Sequence, residues 1–261
     1  MITLIISYYK NIPALTLIFE ALKRQTFREF EVIVAEDAND DTTVLFLKQC
    51  QEQYFFPIRH IGHEDCGFRK TKILNDAIRI AQGEKLVFLD GDCVPHRHFL
   101  KTYNRYIKDG CYCYGRRVGL GKNISEKALT TQNPELFSIL NIHYFSSSKC
   151  IAEGIYLPFR PTIRKQDREI SGSNWGILKK YVLQVNGFDE DYTLPCFGED
   201  LDIGWRLKKI GIQLLSVKNK AIQYHLFHEV RYNATIMAEG RKKFETKKSE
   251  GKTFCKNGIN K

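Results

Sequence analysis

The sequence lacks several features that would place it in a specialised class. No run of about 18 apolar residues occurs, so we expect no transmembrane helix. Residues 1–7 have no basic region and no small-residue cleavage site, so we expect no secretory signal. None of the eight cysteines forms a Cys-x-x-Cys pair, which argues against a zinc cluster and favours reduced thiols. A Gly-x-Gly-x-x-Gly loop is also missing, which argues against a dehydrogenase.

The composition is that of an ordinary globular protein. Of the 261 residues, 43% are hydrophobic and 27% are charged, so disorder is excluded as a description of the whole chain. A chain of this length removes about three quarters of its unfolded surface from water when it folds. We therefore expect a substantial apolar core.

The net charge of +10 is unevenly distributed. Residues 240–261 contain eight Lys or Arg and two Glu, so +6 lies in this C-terminal segment. Such a basic tail favours contact with an anionic membrane surface, although a solvated, frayed terminus fits the same pattern. Nucleic acid is not an expected partner, because the positive charge concentrates in the tail whereas the predicted pocket is acidic.

Strand and helix patterns alternate along the N-terminal part of the chain. Strands are predicted at residues 2–7, 31–35, 58–61 and 85–89, and helices at residues 13–23, 42–54 and 69–82. This order predicts an α/β fold in which a mostly parallel central sheet carries helices on both faces. Further elements are predicted at residues 134–147 (helix), 174–178 (strand), 179–185 and 199–210 (helices), and 213–217 and 221–226 (strands).

Two acidic groups are predicted at the carboxyl ends of parallel strands, where such sheets bind ligands. Asp90-Gly91-Asp92 follows the strand at 85–89, and an acidic cluster at 36–41 follows the strand at 31–35. Carboxylate oxygens suit Mg²⁺ or Mn²⁺, and Gly91 would let a phosphate approach the backbone. A plain Asp-Gly turn and ordinary helix caps explain the same residues without a ligand.

A third acidic group opens the helix predicted at 199–210. Glu199 and Asp200 are adjacent, so their side chains point about 100° apart and only one is expected to face a substrate. The packed stripe of this helix is predicted to run through Leu201, Trp205 and Lys208. That stripe would place Asp200 nearer the packed side than Asp202. Acids at this end also complement the helix dipole, which explains them without any catalytic role.

Two histidines, His225 and His228, follow the last predicted strand. Neutral imidazole is the commonest metal ligand, so both are candidate ligands. A histidine at a strand end is nevertheless more often structural.

Together these motifs make the chain similar to family 2 glycosyltransferases of the GT-A fold. The matching segments run in order from residue 2 to residue 228 and include Ile-Ile-Ser-Tyr-Tyr at 5–9, Glu-Asp-Ala-Asn-Asp-Asp-Thr at 36–42, and residues 67–75, 83–92, 186–190 and 198–200. The later part resembles a segment shared with galactosyltransferases and chondroitin-type polymerases. The basic tail lies outside the resemblance.

The resemblance implies a nucleotide site in the N-terminal half. Backbone near Ser7 and the carboxylate of Asp37 would hold the base, most often uracil. Leu74 stands where many relatives carry Arg, so positive charge for the diphosphate is expected from Arg69 and Lys72.

The resemblance also implies a divalent metal, Mn²⁺ or Mg²⁺, that bridges the diphosphate. Asp92 would ligate it, and Asp90 would contact ribose or metal-bound water. His225 is the expected further ligand, with His228 as the reserve candidate.

Catalytic roles follow from the same resemblance. Asp200 matches the catalytic base, and Glu199 matches the acid that orients acceptor or donor hydroxyls. Trp175 could lie against a sugar face, and a place in the core fits it equally well.

The implied reaction is inverting sugar transfer. A carboxylate takes the proton of the attacking hydroxyl, a metal stabilises the leaving nucleoside diphosphate, and in-line attack inverts the anomeric centre. The expected donor is a UDP-sugar, and the expected acceptor is a glycan or lipid-linked glycan in bacterial cell-surface polysaccharide or lipopolysaccharide synthesis. A nucleotidyltransferase acting on sugar phosphates is the alternative, but residues 7–10 lack the Gly-rich phosphate loop that it would need.

We expect residues 1–239 to form a single domain. Residues 1–118 would bind the nucleotide-sugar and residues 119–239 the acceptor, followed by the basic tail at 240–261. The expected location is the cytoplasm, with a peripheral contact at the inner face of the cytoplasmic membrane.

Overall fold

The computed structural model describes residues 1–144, 147–164, 170, 172–195, 198–229 and 233–260. Its N-terminal part alternates strands with helices, as predicted. These elements are β1 (Ile2–Tyr8), α1 (Ile12–Lys23), β2 (Phe30–Glu36), α2 (Asp41–Gln53), β3 (Ile58–Gly62), α3 (Lys70–Ile80) and β4 (Lys85–Asp90). The strands β1 and β2 are mostly apolar because both of their faces are buried.

Further strands and helices follow β4. They are β5 (Cys93–Pro95), α4 (Phe99–Tyr106), β6 (Cys111–Tyr114), β7 (Arg116–Gly119), α5 (Lys122–Thr131), α6 (Ile139–Tyr144), β8 (Ile163–Arg164), β9 (Asn174–Leu178), α7 (Lys179–Gln184), α8 (Glu199–Lys209), β10 (Gln213–Ser216), β11 (Ile222–His225) and α9 (Ala234–Ser249). The 3₁₀ turns Pro134–Phe137 and Ile151–Gly154 complete this part of the chain.

The single helix predicted at 134–147 is wrong. The 3₁₀ turn Pro134–Phe137 and the helix α6 replace it, and residues 145–146 lie outside the described part. Ser138 separates the two pieces because its backbone is extended, with φ −64° and ψ 149°.

The described strands form two sheets. The main sheet has the order β3-β2-β1-β4-β9-β6-β10-β8, and the small sheet has the order β5-β11-β7. The pairs β1–β2, β1–β4, β2–β3 and β6–β10 are parallel, whereas β9 is antiparallel to both of its neighbours. Apolar clusters lie on both faces of the main sheet, one packed by α1, α2, α4 and α5 and the other by α3, α7 and α8. The predicted α/β class is therefore confirmed.

The described part of the predicted basic tail packs on the domain. The boundary expected at residue 240 falls inside α9. The side-chain amide of Asn186 donates to the carbonyls of Cys255 (2.7 Å) and Asn260 (3.1 Å), and its Oδ1 accepts from the backbone N–H of Asn260 at 2.7 Å. Ile259 is buried in the apolar cluster beside these contacts. A frayed terminus is therefore excluded for residues 240–260, and Lys261 lies outside the described residues.

Among the described residues, no helix is both long and apolar enough to cross a bilayer.

Candidate active site

A cleft of about 480 Å³ opens at the carboxyl ends of the parallel strands. Ser7 at the end of β1 is paired with Ala35 on β2 and with Asp90 on β4, so the three strands end at the same level. Four of the predicted residues line this cleft, namely Ser7, Asp37, Asp90 and Asp92, whereas Glu199, Asp200 and His225 are not among the described residues that line it. His228 and Lys70 also line it.

Gly91 allows the turn after β4 to pass directly against β1. Its N–H donates to the carbonyl of Ser7 at 2.7 Å, and a Cβ at this position would lie only 2.9 Å from that oxygen. Glycine is therefore required by the close approach of two backbones. The tight turn separates Asp90 and Asp92, which contact different partners.

Asp92 faces two histidines, of which one ends β11 and the other follows it. Cys93 on β5 is paired with His225 on β11, and the N–H of Leu226 donates to the carbonyl of Asp92 at 2.9 Å. Oδ2 of Asp92 lies 3.5 Å from Nε2 of His225 and 3.2 Å from Nε2 of His228. One ligand atom from each of the three residues lies within 4.8 Å of the others.

This set of donor atoms fits a divalent metal ion. Carboxylate suits Mg²⁺ and Mn²⁺, and imidazole suits transition metals, so the mixed set favours Mn²⁺. Burial acts to raise the pKa of Asp92, but hydrogen bonds from His225 and His228 outweigh it and hold that pKa below its usual range. The carboxylate is thus ionised, as a metal ligand must be.

Asp37 lies under the opposite side of the cleft. Its carboxylate bonds His63 Nε2 at 2.7 Å through Oδ1, and its Oδ2 accepts from the backbone N–H of Arg69 at 2.9 Å. These contacts fix the carboxylate, while its free lone pairs remain available to a ligand.

Lys70, the first residue of α3, is the cation that the structure places at the centre of the site. Its Nζ lies 2.9 Å from Oδ1 of Asp90 and 3.8 Å from Oε1 of Glu199. Burial acts to lower the pKa of Lys70, but the charges of Asp90 and Glu199 outweigh it and raise that pKa. The ammonium group therefore stays charged.

The two cations predicted for the diphosphate point elsewhere. The guanidinium of Arg69 bonds the carbonyl of Glu64, and only its backbone N–H reaches the site. Lys72 bonds Asp76 at 3.0 Å and is not among the residues lining the cleft. Sequence reasoning missed Lys70, although it stands between these two residues.

Asp200 lies in the first turn of α8, beside Lys70. Its Oδ2 accepts from the N–H of Gly172 at 2.8 Å, and its Oδ1 from the N–H of Leu201 at 2.9 Å. A side chain at Gly172 would meet Asp200 Oδ2 at 3.5 Å and Lys70 Nζ at 3.7 Å, so these two groups flank the glycine. Burial, followed by the negative charge of Glu199, raises the pKa of Asp200 to about 7.

Glu199 and Asp202 have other surroundings. Oε1 of Glu199 faces Lys70, and its Oε2 is buried with no hydrogen-bond partner among the described residues. Asp202 is 2% exposed and accepts from Nε of Arg206 at 2.8 Å. Cys196 and Phe197, which precede this helix, lie outside the described residues.

The packed stripe predicted for α8 is wrong. Ile203 and Leu207 are buried in the core, whereas Leu201 and Trp205 are only partly buried. Arg206, which lies between Ile203 and Leu207 in the sequence, is also buried, and its pairing with Asp202 makes that burial possible.

Trp175 lies in the core rather than in the cleft. It is fully buried, and its ring stacks on that of Phe88 with centroids 4.4 Å apart. Of the two interpretations of this residue, the structure supports a place in the core.

Comparisons with known proteins agree with the fold. Chondroitin synthase from Escherichia coli is 24% identical over 255 residues, which cover 92% of this chain but only 37% of that protein. The chain therefore spans little more than a third of this relative's length.

Two solved structures share the fold. A mannosyltransferase from Pyrobaculum calidifontis, in complex with GDP-Man and Mn²⁺, matches with a TM-score of 0.64 at 16% identity, over 95% of this chain and 64% of that one. S. aureus TarS 1–349, in complex with UDP-GlcNAc, matches with a TM-score of 0.59 at 16% identity, over 88% and 59% of the two chains. The GT-A fold expected from the sequence is thereby confirmed.

The family described as "Glycosyl transferase family 2" matches residues 3–180, which is more than half of the chain. The chain therefore belongs to glycosyl transferase family 2.

Proposed function

We propose that this protein is an inverting, metal-dependent glycosyltransferase that uses a UDP-sugar as donor. The observation that carries the proposal is that Lys70 links two groups. It lines one cleft with Asp92 and His228 of the metal-ligand set, and its ammonium lies beside the carboxylates of Glu199 and Asp200. Sugar transfer from a nucleotide donor needs both groups, one for the leaving diphosphate and one for the attacking hydroxyl.

The nucleotide would lie across the ends of β1 and β2. The fixed carboxylate of Asp37 is available to accept a hydrogen bond from the uracil, and Tyr8 and Tyr9 line the same part of the cleft. Gly91, in the turn after β4, also lines the cleft. S. aureus TarS, which has the same fold, is described in complex with UDP-GlcNAc.

The diphosphate would be neutralised from two sides. Asp92 with His225 or His228, and Asp90 through water, would hold Mn²⁺ or Mg²⁺, which stabilises the charge on the departing diphosphate. Lys70 lies across the cleft as a second positive group, already held between Asp90 and Glu199. When the bond between sugar and diphosphate breaks, negative charge develops on the diphosphate, where both positive groups can stabilise it.

Asp200 would accept the proton. The acceptor hydroxyl oxygen bonds to the anomeric carbon, the bond from that carbon to the diphosphate oxygen breaks, and the hydroxyl proton passes to the Asp200 carboxylate. A base opposite the leaving group requires in-line attack, which inverts the anomeric configuration. Glu199 would orient the acceptor or donor hydroxyls from the neighbouring position.

The acceptor is proposed as a hydroxyl of a glycan or lipid-linked glycan in bacterial cell-surface polysaccharide or lipopolysaccharide synthesis. Such an acceptor places the enzyme at the inner face of the cytoplasmic membrane. Contact through the basic segment 240–261 stays a prediction, and two of its cations are already engaged: Lys247 lies 2.7 Å from Asp189, and Lys252 lies 3.2 Å from Glu250.

A donor-hydrolysis assay tests the proposal. Release of the nucleoside diphosphate is measured with a panel of UDP-sugars and, as the comparison donor, with GDP-mannose, in Mn²⁺ and in excess EDTA. We expect release from at least one UDP-sugar that stops in EDTA and returns with Mn²⁺. Release only from GDP-mannose would contradict the donor, and full release in EDTA would contradict the metal.

A further inference from the structure

The loop at 154–164 presents large apolar side chains to solvent. Phe159 is 96% exposed, and Ile155, Leu157 and Ile163 are 44%, 43% and 48% exposed. Singly exposed apolar residues are ordinary, but four within one short loop indicate an interaction surface.

Cations lie beside this loop. Lys101 and Arg105 are four residues apart, so the helical repeat of α4 places them along one side, and Arg97 lies in the turn that precedes the helix. Arg160 lies on the loop itself, and all four side chains belong to exposed residues. No Asp or Glu occurs in the sequence from residue 93 to 108 or from 154 to 164. We call residues 97–106 together with the loop 154–164 the basic-apolar face.

Buried contacts hold the loop against α4. The ammonium of Lys220, a residue only 2% exposed, donates to the carbonyl of Pro158 at 2.6 Å and lies 5.6 Å from the ring centroid of Tyr106. The rings of Tyr156 and His98 are 4.6 Å apart at their centroids. The loop and the helix therefore form one continuous surface.

The positive charges of this surface act on one another. Burial, followed by the charges of Arg105 and Arg160, lowers the pKa of Lys220. Arginines from the helix and from the loop thus contribute to the same local potential, which attracts anions.

We propose that the basic-apolar face docks the protein on an anionic lipid bilayer. Phe159 and Leu157 would enter the interfacial region, and the cations of α4 would contact anionic headgroups. The aliphatic side chains around Phe159 favour lipid over single-stranded nucleic acid, whose bases stack on aromatic rings.

The basic-apolar face lies away from the metal-ligand cluster. Lys220 precedes β11 and His225 ends it, so the metal-ligand cluster lies roughly 16 Å along the strand from the face, at about 3.3 Å per residue. The inference does not depend on sugar transfer, because docking is measured without turnover.

Co-sedimentation of the full chain tests the inference, using phosphatidylcholine vesicles with and without phosphatidylglycerol. We expect binding only to the anionic vesicles, weakened by NaCl. Lys101→Glu with Arg105→Glu should weaken binding at least about 25-fold, since each cation contributes about fivefold. Phe159→Ser with Leu157→Ser should weaken it at least about tenfold.

The matched control lies in the C-terminal segment. Lys242→Glu with Lys256→Glu makes the same change in net charge at two exposed residues of the basic segment 240–261 and should weaken binding less than the Lys101/Arg105 change does. Circular dichroism and thermal unfolding check that each variant is folded, and Lys101→Gln with Arg105→Gln replaces the Glu pair if that pair fails to fold.

Several results would overturn the inference. One is that the protein binds no vesicles, and another is that it binds neutral and anionic vesicles equally. A third is that the C-terminal variant loses binding whereas the variants of the basic-apolar face keep it. The protein could instead bind single-stranded RNA but no vesicles. If the Lys101/Arg105 change then abolished RNA binding, the face would be assigned to nucleic acid.

Discussion

The site holds two carboxylate clusters in contrasting surroundings. Asp92, after β4, faces His225 and His228, which hold its pKa below the usual range. At the start of α8, burial and then the negative charge of Glu199 raise the pKa of Asp200 to about 7, although backbone N–H groups that bond its carboxylate act to lower it. The same side chain is thus suited to a metal ion in one cluster and to a proton in the other, and the neighbours alone make the difference.

The largest effect is expected in the first cluster. Asp92→Asn should lower kcat at least about 10³-fold, because a metal supplies several kcal/mol of stabilisation to the leaving group. Steady-state UDP release measures this, and Asp41→Asn, the same change at an exposed residue outside the cleft, is the control. If Asp92→Asn keeps the wild-type rate and its response to Mn²⁺, Asp92 is not a metal ligand.

The second cluster should respond through chemistry rather than binding. Asp200→Asn should lower kcat at least about 10²-fold while donor affinity persists, the signature of a lost general base. Glu199→Gln should have a smaller effect on kcat. Turnover and UDP binding are measured separately, and normal turnover in Asp200→Asn would reassign the base to Glu199.

The pH profile sharpens the contrast further. A base must be ionised, so kcat should fall as the pH drops through about 7 and be about tenfold lower one unit below the pKa of Asp200. Glu199 raises that pKa through its charge, so Glu199→Gln should move the midpoint to lower pH. The profile is measured at saturating donor and Mn²⁺. A midpoint that does not move in Glu199→Gln would point to the histidines instead.

The parallel part of the fold could be predicted because its strands are long apolar runs separated by amphipathic helices. The strand predicted at 2–7 is β1, and the strand predicted at 174–178 coincides with β9. The elements from β5 to α5 were not predicted. Their strands have only three or four residues, too few for a period to show.

The site residues that follow strand ends could be predicted from the sequence. Those on helices were missed where the position around the helix determines which side chain faces the site. Lys70 begins α3, and its side chain points back towards the ends of the strands. Lys72 lies two residues on, roughly 200° around the helix, and bonds Asp76 instead. His63, which fixes Asp37, is a lone histidine in a loop and offered no signal in the sequence.

The predicted stripe of α8 failed for a different reason, namely that a buried charge cannot be read from hydrophobicity. Arg206 is 2% exposed, yet its guanidinium is satisfied by Asp202 and by the carbonyls of Val185 and Gly187. Asp202 thus differs from both Asp92 and Asp200, because its partner is the buried guanidinium of Arg206.

The smallest effect on turnover is therefore expected at Asp202. Asp202→Asn should leave the kcat of the folded enzyme within about twofold, because its carboxylate pairs with Arg206, whereas those of Glu199 and Asp200 lie beside Lys70. It should lower the free energy of unfolding by about 3–5 kcal/mol, the usual consequence of leaving one buried charge unpaired.

Denaturant unfolding and UDP release, measured on the same preparation, separate these two effects. Asp202→Asn with Arg206→Met removes both charges and should recover part of the lost stability. Recovery should be incomplete, because the carbonyls of Val185 and Gly187 lose the donors that Arg206 supplies. A fall in kcat comparable to that of Asp200→Asn, with unfolding unchanged, would place Asp202 in the catalytic machinery and remove the distinction between the acids of α8.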